Sequence, residues 1–221
     1  MPLQDDAHDN WDLANPPEEG ARAAKHRLVR EVKRLVDAVA LLDVGDDDAA
    51  AVDALTAKVS GAADAVAGRP SLAATGLAMS LGPDHALAER SPFSGRANPL
   101  AAPMTIAVDG DITRATATYS AAYEGPPNTL HGGFVAAAFD DLLGVAQMAS
   151  GDAGFTGTLT VRMRRPTPLH TPIVYEAGVE RVSGRKIICW GRSTANDELV
   201  AEAECLFVIP KGRPIRDRMP H

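Results

Sequence analysis

Between positions 132 and 150 the side chains of Phe134, Val135, Phe139, Leu142, Leu143, Val145 and Met148 point in nearly every direction around a helix, and the polar ones are chiefly Asp140, Asp141 and Gln147. A helix that is apolar all round must be buried on all sides. Its neighbours in the chain alternate with a period of two instead. Residues 104–108 and 112–119 are separated by Asp109-Gly110, a hairpin signal because both residues tolerate positive φ. Downstream come residues 156–164, 173–182, 186–194 and 199–209, the last three divided by Ser183-Gly184 and Asn196-Asp197. Two strands, one long helix and four more strands is an α+β pattern, and an antiparallel sheet curled about the helix is the arrangement that buries it.

An aspartate in the middle of such a helix costs free energy unless it is paired, hydrated in a cleft or protonated. Asp140 and Asp141 are adjacent and point about 100° apart, so they cannot share one environment. One should face a cleft or an interface, the other solvent or a cap. The helix opens on His131-Gly132-Gly133, which leaves unpaired backbone N–H groups at the positive end of the macrodipole with no side chain in the way. That is an oxyanion hole in waiting, although a Gly-Gly helix entry taken alone more often marks only a tight turn. Gly132 and Asp140 are eight residues apart, roughly 12 Å along the axis. A single reacting carbonyl cannot touch both on one helix, so if both serve one reaction they come from different subunits of a twofold dimer.

The first ninety residues have another character. Residues 1–20 are acidic and proline-containing and read as a tail. Leu28, Val32, Leu35, Val39 and Leu42 recur at spacings of three and four and predict one packed helical face, with Arg22, Lys25, Arg30, Lys33 and Arg34 on the rest. Asp46-Asp47-Asp48 offers caps to a second helix carrying Val52, Leu55 and Val59, with Gly61 as its stop. The expectation is an N-terminal extension, residues 1–90, holding a helical hairpin at about 21–62 followed by a Pro- and Gly-rich linker, and a second domain at 91–221. The segment from Ser91 to Pro99 reads as a covering loop entering the first strand.

The 221 residues carry a net charge of −7, which argues against nucleic acid or an anionic membrane as the main partner, since both need clustered Lys and Arg. Cys189 and Cys205 lack metal or redox spacing, and no run of about 18 apolar residues or signal-peptide pattern is present. A cytoplasmic protein without a disulfide framework is expected.

Leu130-His131-Gly132-Gly133 followed by Asp140, then residues 156–161 (TGTLTV) and 164–169 (RRPTPL), resemble the hotdog-fold acyl-CoA thioesterases, specifically the PaaI-like and THEM-type branch. The resemblance covers roughly residues 95–210 and implies a hotdog fold, a sheet wrapped around a long central helix. It implies that Gly132 or its neighbour Gly133 donates the N–H that polarises the thioester carbonyl, assisted by His131 and Asn128. Asp140 would be the catalytic carboxylate, acting as nucleophile or as general base. Thr156 would hydrogen-bond the carboxylate or water, with Thr158 as fallback. Asp141 is the rival acid, set aside because only Asp140 keeps the family spacing. Arg164, Arg165, Arg185 and Lys186 are the candidates for the CoA phosphates, joined by the basic tail Lys211, Arg213 and Arg216, against the plainer reading of solvated strand-end charges.

The implied function is hydrolysis of an acyl-CoA by a homodimer or homotetramer with active sites at the dimer interface, needing no metal or cofactor. The competing reading is a hotdog module that binds acyl-CoA without turnover, as a sensor or assembly partner. A hotdog dehydratase or hydratase ranks lower, because its Asp-His pair in a different loop-helix context is not found.

Overall fold

The computed structural model describes residues 19–70, 89–148, 151 and 154–211. Residues 1–18, Ser150 and the tail residues Arg213 and Arg216 lie outside them. Two helices come first, α1 (Gly20–Ala40) and α2 (Ala49–Ala67). Then follow β1 (Met104–Asp109), β2 (Ile112–Ala117), α3 (Gly132–Met148), β3 (Phe155–Met163), β4 (Ile173–Ser183), β5 (Lys186–Ala195) and β6 (Glu198–Val208). The order expected from the apolar periodicities, two strands, a helix and four strands, is the order observed.

The strands form one sheet in the order β1-β2-β4-β5-β6-β3, antiparallel at every pairing. The tight turns fall where expected, with Gly110, Gly184, Asn196 and Asp197 all at positive φ. Helix α3 lies across the sheet and buries Val135, Ala138, Phe139, Leu142, Leu143, Val145 and Ala146 against the inward side chains Ile106, Tyr175, Ile173, Ile187 and Phe207. Each Leu or Phe so buried contributes about 1.5–3 kcal/mol of transfer free energy. The helix reaches the sheet closely because β5 carries Gly191 beneath it. A Cβ there would lie 3.1 Å from the Phe139 ring and 3.4 Å from Leu143.

The N-terminal part departs from the sequence reading in three ways. The predicted face of α1 is not the docked one: Leu28, Leu35, Val39 and Leu42 are exposed, while Ala23, His26 and Val29 are buried. The reason is electrostatic. Glu89 is itself buried and takes Arg22 at 2.6 Å and His26 at 2.5 Å, and Asp37 accepts a 2.8 Å hydrogen bond from Ser120, so the polar flank of α1 turns inward. Periodicity identifies a stripe but not the surface that the stripe meets. Gly61 does not stop α2, which continues to Ala67, since an interior glycine costs only about 1 kcal/mol relative to alanine. And the two helices are not a packed hairpin, because α2 buries none of its residues. Asp48 stands at its N-cap position but turns its carboxylate back to the Gly45 N–H at 2.9 Å.

Residues 89–103 form a strap on the main body. Phe93 and Ala102 enter the core, and Phe93 packs on the Phe134 ring at 6.5 Å. No helix among the described residues is long and apolar enough to cross a membrane.

Candidate active site

The loop before α3 is held by its own backbone. His131 N–H donates to the Tyr123 carbonyl at 3.0 Å and Leu130 N–H to that of Thr167 at 2.8 Å. Asn128, at φ 61°, makes the left-handed turn that asparagine tolerates, and its N–H is taken by the Glu124 carboxylate. Gly125 is obligatory in this loop because a Cβ would sit 2.8 Å from the His131 Cα. The start of α3 is therefore fixed before any ligand arrives.

Of the two glycine N–H groups at that start, one is already used. Gly133 donates to the His131 ring Nδ1 at 3.0 Å, which makes Nδ1 an acceptor and leaves the imidazole proton on Nε2. Phe134 and Val135 donate to the His131 carbonyl at 2.9 and 3.3 Å. The Gly132 N–H makes no hydrogen bond among the described residues. The sequence left Gly132 and Gly133 as alternatives, and the local geometry favours Gly132. His131 acts here as a cap that consumes the second donor. The Met163 side chain from β3 lies across Gly132, its Cε 3.1 Å from where a Cβ would be.

Two turns further on, the adjacent acids separate as expected. Asp140 is exposed, and its Oδ1 accepts a 3.0 Å hydrogen bond from the Thr156 hydroxyl. Asp141 turns into the strap, where Ser91 Oγ donates to its Oδ1 at 2.8 Å. Burial raises the Asp141 carboxyl above the ordinary range, the Ser94 and Ser91 hydroxyls oppose that, and the charge of Asp140 adds to it. Its Oδ2 is buried without a hydrogen-bond partner. Asp141 is thus turned into the strap, and Asp140 is the exposed carboxylate of the pair.

Thr156 reaches Asp140 because β3 is kinked. Opposite β6 the register runs Thr156 to Phe207 and then Thr158 to Leu206, with Gly157 as the extra residue of a bulge. Phe207 and Cys205 face inward, so Thr156 and Leu159 do too, and Thr158 lies on the outer face with Leu206. The fallback position Thr158 is thereby on the wrong side of the sheet to touch Asp140.

The proposed phosphate-binding cations are mostly engaged. Arg164 Nε pairs with Glu202 at 2.6 Å, Arg165 pairs with Glu198, and Arg185 donates to the Ile209 carbonyl at 2.8 Å. Lys186 is exposed at the start of β5. These four are not brought to the Asp140 carboxylate, and their pairs are those of ordinary strand-end charges.

Two neighbours of the site had no sequence signal. Ser91 meets Asp141 from fifty positions away, and nothing in its local context announces it. Cys205, directly opposite Cys189 across β5 and β6, lies beneath Thr156 and Asp140. Burial pushes its thiol up to about 12, with Asp140 and Cys189 adding to the shift and a hydrogen bond with Thr156 opposing it. Both cysteines are free and buried, and a thiol kept protonated in this way is no nucleophile.

Comparison with known proteins bears on the whole arrangement. A crystallised protein described as a thioesterase superfamily protein superposes with a TM-score of 0.73 at 29% identity, over 88% of this chain and 97% of that one. The chain has the hotdog fold of the thioesterase superfamily. The hotdog domain by itself is not the extent of the match, since 88% of the chain must also take in part of the N-terminal extension. Among curated relatives, the acyl-coenzyme A thioesterase THEM4 of Xenopus laevis is 34% identical over 87 residues, 38% of this chain and 39% of that protein. That of Bos taurus is also 34% identical over 87 residues, 38% of this chain and 35% of that protein. The match thus spans less than two-fifths of the length of each of these relatives. No family model matches the chain.

Proposed function

We propose that this hotdog protein hydrolyses acyl-CoA thioesters, with the carbonyl held at the Gly132 N–H of one subunit and Asp140 supplied by the other. The observation that carries the reading is the Asp140–Thr156 pair: an exposed, oriented carboxylate on an otherwise buried helix, two turns from an unused helix N-terminal amide. The names of the curated relatives support the substrate class, and the roughly 12 Å between Gly132 and Asp140 along the axis supports the division between subunits. So does β3. It is an edge of the sheet, paired among the described residues only with β6, and Phe155 and Met163 on it are 63% and 53% exposed. A nine-residue edge strand presents unpaired N–H and C=O groups to another copy, and pairing there would bring two α3 helices side by side.

In the reaction, the developing oxyanion is met by the Gly132 N–H at the positive end of α3. Asp140 either attacks the carbonyl carbon itself or takes a proton from the water that does. In the general-base route the water oxygen bonds to the carbonyl carbon, the C–S bond breaks, and the proton taken by Asp140 passes to the departing CoA thiolate. In the nucleophilic route an Asp140 oxygen bonds to that carbon as the C–S bond breaks, the thiolate takes its proton from solvent, and water then opens the mixed anhydride to release the acid and restore the carboxylate. Thr156 fixes the carboxylate for either, and the step uses the chain's own groups without metal or cofactor.

The test is thiol release from a panel of acyl-CoAs of varied chain length and aryl character, followed with a thiol-reactive dye. Hydrolysis abolished by Asp140→Asn is expected. Full activity of that variant would remove the mechanism, and saturable binding without hydrolysis by the native protein would turn the reading into a sensor. Label found in Asp140 after a single turnover in 18O-labelled water would establish nucleophilic attack, since it enters only when water opens the mixed anhydride at the Asp140 carbonyl.

A further inference from the structure

Helix α1 has two faces, and only one is docked among the described residues. The docked flank is the polar one, Arg22, His26 and Asp37 pinned to Glu89 and Ser120. The opposite side carries Leu28, Val32, Leu35 and Val39, followed by Leu42 just past the helix, at alternating spacings of four and three. That is a heptad seam with valine at a and leucine at d, the combination that suits two-stranded packing. It is open: Leu28, Leu35 and Val39 are 48%, 42% and 59% exposed.

Helix α2 repeats the pattern. Val52, Leu55, Val59, Ala62 and Val66 recur at alternating spacings of three and four, and Leu55, Val59 and Val66 are again about half exposed. In proteins most helical stability comes from packing an amphipathic face, yet this 19-residue helix has no buried residue among the described ones. Contiguous apolar stripes of this extent mark interaction surfaces.

Charge selects the pairing. Residues 20–40 hold six basic and two acidic side chains, a net +4, whereas residues 43–67 hold six acidic and one basic, a net −5. Two copies of α1 face to face would repel, as would two copies of α2. An α1 seam against an α2 seam joins Leu/Val to Leu/Val and basic flank to acidic flank.

We infer that α2 of a second copy of this chain packs on the α1 heptad seam, and reciprocally, so that the two N-terminal extensions exchange helices and form a four-helix arm across the dimer. An isologous exchange of this kind closes on itself and leaves no open seam. Because α1 is anchored at Ser120, next to the Ala121–Tyr123 turn whose Tyr123 carbonyl holds His131, the arm adjoins the loop that sets the Gly132 donor.

The experiment uses the full chain. A tagged Leu35→Cys protein is mixed with an untagged Leu55→Cys protein and treated with a short bismaleimide, the native cysteines being buried. The expected product is a covalent heterodimer joining positions 35 and 55, in clear excess over 35–35 and 55–55 products. Failure to form the 35–55 product between chains overturns the inference. So does a Leu35→Cys/Leu55→Cys double variant that yields only an intrachain bridge, which would show α2 of the same chain on the seam. Independently, Leu35→Lys/Leu55→Lys should raise the dimer dissociation constant by at least about a hundredfold, from two apolar anchors lost per copy. An unchanged constant also overturns it. None of these readouts depends on thioester hydrolysis.

Discussion

At Gly132 the chemistry rests on a backbone atom, which permits an unusually clean substitution. The residue is the first of α3, the one helical position where proline is accommodated because its N–H has no intrahelical partner. Gly132→Pro therefore deletes the proposed oxyanion donor while the helix continues, and the ring displaces only the flexible end of Met163. Turnover of acyl-CoA should fall by about 10²–10³, the usual consequence of losing one such donor, with the thermal midpoint little changed. Retained turnover would show that another group polarises the carbonyl. Thr156→Ala should be milder, about fivefold in kcat, because a single hydrogen bond of about 1 kcal/mol is lost and Asp140 stays in place. Asp141 is predicted to behave in the opposite sense from a catalytic acid. Its carboxyl is raised in the folded state, so the folded protein holds this proton more tightly than the unfolded chain does. Its contribution to stability declines as pH rises from the ordinary carboxylate range through its elevated native value. Asp141→Asn keeps an acceptor for Ser91 and removes the titration. The variant should show a flatter dependence of the thermal midpoint on pH across that window while retaining hydrolysis, and a loss of hydrolysis equal to that of Asp140→Asn would make Asp141 the catalytic acid.

Elements were legible in the sequence to the extent that one periodicity decided them. The strands and α3 are set by strict alternation and by a helix apolar on every side, and the turns by Asp109-Gly110, Ser183-Gly184 and Asn196-Asp197, where positive φ is required. The separation of Asp140 from Asp141 followed from helix geometry alone. What was not legible depends on contacts between distant segments. Nothing near Ser91 or Glu89 shows that one meets Asp141 and the other α1, and the Gly157 bulge that turns Thr158 away is a property of the β3–β6 pairing, not of β3. The docking of α1 yields its own prediction. Burial alone would raise the Glu89 carboxyl, but the hydrogen bonds from Arg22 and His26 outweigh it and hold the carboxyl below the usual range. Glu89 therefore stabilises the fold above the ordinary glutamate pKa, and that contribution is lost as pH falls through its lowered native value. Glu89→Gln should cost about 2–3 kcal/mol at neutral pH, toward what charge-assisted hydrogen bonds contribute, because Arg22 still reaches solvent. Chemical denaturation at pH 7 measures it, and a change within error would show that α1 is held by its apolar contacts.

For the whole molecule, the decisive question is whether one chain contains a complete site. Gly132 and Asp140 lie on one rigid helix, eight residues apart, and no rotamer brings the carboxylate to the first amide. If the site is shared, Gly132→Pro and Asp140→Asn damage different halves of it. In a mixed dimer, one site receives both lesions. The other combines the intact Gly132 of the Asp140→Asn chain with the intact Asp140 of the Gly132→Pro chain. Each variant alone should be nearly inactive, yet co-refolding or slow exchange of equal amounts should restore activity. Random pairing makes half the dimers mixed, each with one good site of two, so about a quarter of native turnover is expected. Mixing without any recovery, in a sample shown by mass to contain heterodimers, would place both groups of each site on the same chain and require a substrate geometry other than the one proposed.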